Sequence, residues 1–181
     1  MPRNELRMTI HCALFAALII IGGYVSIPVG PVPIALADFF VMLAGLFLGF
    51  KYGVISTMLF LLLGILGLPV FAGGAAGPAV FLGPTGGFLV GYVLLAGTVG
   101  FISGLRPGCV ITAIAALLMG NILMYAVGVP WLRSVLNLSW QAALAGGLTP
   151  FIPGAIIKIA AAVSIAHVMV PRYIAFNRSG L

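Results

Sequence analysis

A lysine stands where lysine is costly. The stretch Phe151–Val170, FIPGAIIKIAAAVSIAHVMV, is apolar and long enough to cross a bilayer, yet it carries Lys158 about eight residues in. A cation at that depth costs roughly 2.5–3.5 kcal/mol on insertion scales. Snorkelling to the surface from there stretches even a lysine stem. Such a charge usually faces a protein interior or a wet cavity and has a partner. Few residues are able to meet it. Asp38 is the only acid beyond the N-terminal tail. Asn121 and Tyr125 are four residues apart and share one helix face. Together with Thr85 they can present donors and acceptors to a polar ligand. Each also has a plainer use: a helix–helix hydrogen bond for Asn121 and Tyr125, and an interfacial carboxylate in water for Asp38.

The elements that must position these groups follow from composition. The chain has 181 residues, of which 63% are hydrophobic and 6% charged, too few charges to cover a soluble surface. At about 20 apolar residues per span, some six helices exhaust the chain and leave nothing for a soluble catalytic domain. The expected fold class is therefore an all-α membrane protein, one domain of six transmembrane helices over residues 1–181. The net charge of +6 does not indicate nucleic acid, because the cations punctuate apolar segments and form no stripe. Cys12 and Cys109 lack any CxxC spacing and read as buried apolar thiols, so no metal or cofactor is expected. The first apolar run is too long for a cleavable signal peptide.

The spans predicted in order are Met8–Ile27, Ile34–Phe50, Val54–Leu68, Thr85–Leu105, Val110–Val129 and Phe151–Val170. Pro28, Gly30, Pro31 and Pro33 make a short extended turn after the first. Lys51 and Gly53 mark a tight turn after the second, and Arg106, Pro107 and Gly108 one after the fourth. The Pro69–Pro84 loop is long and glycine-rich, and Pro130–Gly147 can form a short interfacial helix around Trp131 and Trp140. An even number of spans puts both termini on one side. That side holds Arg3, Arg7, Lys51, Arg106, Arg172 and Arg178, against Arg133 on the other, so both termini are predicted cytoplasmic in a multi-pass cell membrane protein.

On this topology Asp38, Thr85, Asn121, Tyr125 and Lys158 all fall in the outer half, beneath two extracellular connections. That is the arrangement of a ligand pocket open to the outside. The glycines of the long loop, Gly73 and Gly74 among them, permit a backbone that lines a cavity or forms a lid, or simply a flexible connection. It is no nucleotide loop, having neither GK[ST] nor a preceding strand. Ala13 and Ala17 on the first span, four apart with Ala16 beside them, allow close approach of another helix, within the chain or from a partner.

A resemblance emerges at these residues. GLPVFAGG (Gly67–Gly74) and GPTGGFLVGY (Gly83–Tyr92) resemble the BioY family, the biotin-binding substrate subunits of energy-coupling-factor (ECF) transporters. GPVPI (Gly30–Ile34), LAGLFLG (Leu43–Gly49), GVPWL (Gly128–Leu132) and FIPGAIIK (Phe151–Lys158) look like further blocks in the right order. The resemblance implies a six-helix ECF substrate-subunit fold that binds biotin from outside. It also implies partners: a transmembrane coupling subunit, met by an alanine-rich face matching Ala13 and Ala17, and a cytoplasmic ATPase pair. One departure stands out. The family carries an acid three residues before the lysine, and this chain has Ala155 there. Asp38, in VPIALAD, can take over part of that carboxylate's work.

Biotin's ureido ring has two N–H donors and one carbonyl acceptor. Asp38, Asn121 and backbone carbonyls of the glycine loop, including those at Gly73 and Gly74, can serve the donors. Phe71, Tyr125 and aliphatic walls suit the apolar ring and chain. Lys158 can pair with the ligand's carboxylate or donate to its ureido carbonyl. The alternatives are another vitamin in the same kind of subunit, a membrane enzyme, or a small channel or purely structural membrane protein. An enzyme needs an acid–base pair or metal cluster, but His11 and His167 lie toward the cytoplasmic side and no HxxxH or paired carboxylates occur. A channel needs a continuous polar path, but the inner half offers scattered groups such as Ser56, Thr57 and Ser164, which can bond their own backbones.

Overall fold

A computed structural model describes the backbone of residues 3–178 and the side chains of residues 5–173. The side chains of Arg3 and Arg178, both counted in the charge tally, lie outside the described residues. The elements in order are α1 (Arg3–Tyr24), β1 (Ser26–Ile27), β2 (Ile34–Ala35), α2 (Ala37–Ile65), α3 (Ala79–Leu82), α4 (Gly86–Leu105), α5 (Val110–Leu136), α6 (Trp140–Gly147) and α7 (Ile152–Arg178). Single 3₁₀ turns precede α3 and α7 at Ala72–Gly74 and Thr149–Phe151. Among the described residues, α1, α2, α4, α5 and the stretch ending in α7 are long and apolar enough to cross a membrane.

The second and third predicted spans fall within α2, which breaks at Gly49 and not at Lys51 and Gly53. Gly49 has φ +72° and ψ −171°, a conformation reserved for glycine. The chain turns back on itself there. In a straight helix Gly45 and Gly53 would be about 12 Å apart; here a Cβ added to Gly53 would lie 3.1 Å from the Gly45 Cα. The predicted turn fell a few residues late because Lys51 and Gly53 carry the stronger break signals, while Gly49 lies at the end of the preceding apolar run. The fifth helix also runs past its predicted end at Val129, through Pro130, to Leu136. The short helix expected in the following connection is α6, capped by the Ser139 hydroxyl accepting from the Ala142 amide at 3.2 Å. The proline-rich turn is a two-residue antiparallel ribbon pairing Ser26 with Ala35 and Ile27 with Ile34.

Lipid is as apolar as leucine, so burial from water does not hold these helices together; close packing does. α4 packs between α2 and α5, α1 lies on α2, and α7 closes the bundle against α2 and α5. Glycines set the crossings. Gly91 meets Met124, Gly120 meets Leu95, and Gly100 lies directly on the Gly49–Phe50 backbone. Ile19, Val41, Met42, Leu95 and Leu117 fill the centre, while Leu14, Ile21, Ile111, Ile156 and Ile157 face outward. Thr57 and Ser164 bond carbonyls of their own helices, as expected; Ser56 instead donates to the Cys12 carbonyl at 2.9 Å, tying α2 to α1.

Candidate functional site

Lys158 lies six residues into α7, and Asp38 in the first turn of α2, just after the ribbon. The fold joins them. The ammonium donates to Asp38 Oδ1 at 2.7 Å and to the Ala35 carbonyl at 2.6 Å. Their side chains are 12% and 9% exposed. Asp38 Oδ1 also accepts from the Phe39 amide at 2.9 Å, satisfying one of the orphan N–H groups of the α2 start. An ammonium has three protons to donate and a carboxylate two oxygens. One proton and the second oxygen are therefore left without a protein partner among the described residues.

The pair forms the polar end of a chamber. A recess of about 30 Å³ around Asp38 and Lys158, walled by Tyr92, Met124, Tyr125 and Phe151, adjoins an apolar cavity of about 170 Å³. The two share Val32, Pro33, Ala35, Phe88 and Tyr92 as walls and lie side by side. Phe60, Phe71, Ala72, Ala75, Val80, Thr85 and Leu89 complete the apolar part. Phe88, Tyr125 and Phe151 form an aromatic cluster at the junction, each pair of ring centroids 6.3 Å apart. The Tyr92 and Tyr125 hydroxyls have no protein partner among the described residues. Such a space suits a molecule with an apolar body and a small polar end able both to accept and to donate hydrogen bonds.

Of the residues expected at the site, Lys158, Asp38, Tyr125, Phe71 and Thr85 line this space. Phe71 is positioned by edge-to-face contacts with Phe60 and Phe81 at 5.4 and 5.7 Å, and its ring lies over Gly64, where no Cβ would fit. Thr85 stands just before α4, its hydroxyl donating back to the Val80 carbonyl at 3.4 Å.

Three expected residues do not line it. Gly73 and Gly74 adopt left-handed conformations (φ +69° and +78°) that turn the loop, so that Phe71, Ala72 and Ala75 form the wall. Asn121 is a turn deeper than Tyr125. Its amide donates to the Leu117 carbonyl at 2.8 Å and to Met42 Sδ at 3.5 Å, and its buried Oδ1 has no partner. Asn121→Leu is therefore expected to leave ligand affinity within about twofold and to hold or raise the melting temperature, because an unpaired buried acceptor costs about 1–3 kcal/mol. A tenfold loss of binding would place Asn121 in the site.

Phe88, Leu89 and Tyr92 were missed by sequence reasoning. They follow Thr85 at i+3, i+4 and i+7, one face of α4, and that spacing was the available signal. Two side chains hold the long loop down over the chamber. The Tyr24 hydroxyl donates to the Pro69 carbonyl, and Trp131 Nε1 to the Gly83 carbonyl at 3.0 Å.

A bundle of membrane-length helices enclosing a chamber with a buried ion pair is the architecture of a membrane protein that captures a small molecule. Comparison with known proteins narrows the class. The BioY family matches residues 1–175, and the chain belongs to that family. It is 43% identical over 155 residues to a probable biotin transporter BioY from Pyrococcus horikoshii, covering 86% of this chain and 91% of that protein. To the biotin transporter BioY of Thermotoga maritima it is 38% identical over 161 residues, covering 89% and 94%. A crystal structure of the S-component for biotin from an ECF-type ABC transporter superposes with a TM-score of 0.85 at 36% identity, covering 92% of each chain.

Proposed function

We propose that this chain captures biotin as the substrate-binding subunit of an ECF transporter, crossing the membrane six times with both termini in the cytoplasm. The carrying observation is the Lys158–Asp38 pair at the end of the chamber. Its spare ammonium proton matches the carbonyl of a ureido ring, and its spare carboxylate oxygen matches one ring N–H. The apolar cavity takes the rest of the ligand. Asp38 here supplies the charge that Ala155 lacks, reaching Lys158 from α2 where the family's usual acid would come from α7. The named relatives and the superposed S-component support the same ligand.

The reversal at Gly49 supports six passes. Arg7, Lys51, Arg106 and Arg172 at one end, against Arg133, stacked 4.5 Å over Trp140, at the other, support the orientation. Ala13 and Ala17 are exposed on α1, on a different face of the helix from buried Cys12, Ala16 and Ile19. They form the small-residue face that a transmembrane coupling subunit would meet, and a cytoplasmic ATPase pair would supply the energy. His11 and His167 lie at the far end from the chamber, which favours binding over catalysis.

Equilibrium binding of labelled biotin to the purified protein tests the reading. One site per chain is expected, with Lys158→Ala weakening it at least tenfold. Tight binding of a different vitamin with none of biotin would assign the chamber to that ligand, and retained affinity in Lys158→Ala would remove the lysine from the site.

A further inference from the structure

A second cavity lies at the opposite end of the bundle. It measures about 210 Å³ and opens between α2, α4, α5 and α7. Its shaft is apolar, walled by Leu46, Val110, Ala113, Val163, Ala166 and Val170. From Val170 to Val163 it follows α7 for about 10 Å, deep enough to pass from the helix ends into the hydrocarbon layer. Its mouth is the Arg106–Gly108 turn and the Gly49 break. Arg106 is exposed there, and no ion pair involves it among the described residues. His167 is a further polar wall. A Cβ added to Gly108 would lie 3.4 Å from the Pro171 ring, which places Arg172, next in the chain, near the same rim. Neither acid of the chain, Glu5 nor Asp38, lines the cavity.

We propose that this cavity holds the upper part of one acyl chain of an anionic phospholipid whose phosphate is met by Arg106. A wholly apolar guest needs no cation at the mouth, and a free anion needs no apolar shaft. An amphiphile with an anionic head uses both. Basic pockets between helices at the cytoplasmic side of membrane proteins recognise such head groups, each cation near the surface adding a modest increment. The site is independent of whichever molecule fills the chamber at the other end.

The test is titration of the purified, delipidated full chain with phosphatidylglycerol or phosphatidylcholine, read by native mass spectrometry. One phosphatidylglycerol per chain is expected, bound about fivefold more tightly than phosphatidylcholine, the increment of a single cation. Arg106→Gln, on an exposed turn, should abolish that preference while leaving labelled-biotin binding unchanged. Val163→Trp, which fills the shaft, should weaken both lipids. Equal binding of the two lipids by the unaltered chain, or a preference surviving in Arg106→Gln, overturns the proposal. Displacement of phosphatidylglycerol by millimolar inorganic phosphate would show an anion site without an acyl shaft and overturn it too.

Discussion

Asp38→Ala is expected to cost the protein about 3–5 kcal/mol and its ligand together, because removing one partner of a buried pair strands the other charge. Lys158 would keep the Ala35 carbonyl at 2.6 Å and lose its counter-ion. Loss of stability alone does not separate a structural pair from a binding pair. The double replacement Asp38→Leu with Lys158→Met does. Apolar groups of similar volume in place of a buried pair are often neutral or stabilising, so the double variant should melt near the unaltered protein. It should still bind no biotin, having neither the ammonium proton nor the carboxylate oxygen. Thermal unfolding in detergent and labelled-biotin binding, measured on both variants, give the answer. A double variant that binds biotin at the original affinity would reduce the pair to scaffolding. Asp38→Asn keeps the shape and loses the charge; unchanged affinity in that variant would show that Asp38 does not replace the acid missing at Ala155.

Gly100→Val is expected to be among the most damaging single changes in the membrane core. A Cβ at Gly100 would overlap the Gly49 carbonyl carbon and the Phe50 nitrogen, and lie 2.7 Å from the Gly49 oxygen. These are backbone atoms at a turn that already holds a left-handed glycine, so no side chain can swing away. Overpacking a tight contact costs about 1–3 kcal/mol, and the upper end applies where neither side can yield. Gly104, one turn further along α4, is the internal control: a Cβ there meets nothing within 4 Å. Gly104→Val carries the same loss of helix propensity without the clash. A clear drop in melting temperature for Gly100→Val over Gly104→Val is the expected result. Equal melting of the two would mean that α4 does not rest on the Gly49 turn.

The polar half of the site was readable because its residues are out of place. A lysine in an apolar helix and a lone acid at the start of another are conspicuous, and so few candidates exist that each points to the other. The apolar half was not readable in the same way. Phe88, Leu89 and Tyr92 are of the same kinds as the side chains that face lipid, and only their spacing from Thr85 distinguishes them. Asn121 lies off the chamber wall because sharing a helix face with Tyr125 fixes direction but not depth, and one turn of α5 separates that wall from the packed interior. The helix break was misplaced for a related reason. Gly49 stands two residues before the louder signal of Lys51, and its own role depends on α4 lying close enough to need a bare backbone.

The two hydrogen bonds that hold the long loop, from Tyr24 to Pro69 and from Trp131 to Gly83, reach it from α1 and from α5. They grip opposite ends of the same cover, on either side of the stretch that contributes Phe71, Ala72, Ala75 and Val80 to the wall. Any guest that leaves past this cover must disturb one of these clasps, so weakening either of them is expected to shorten its residence time without changing the pocket walls.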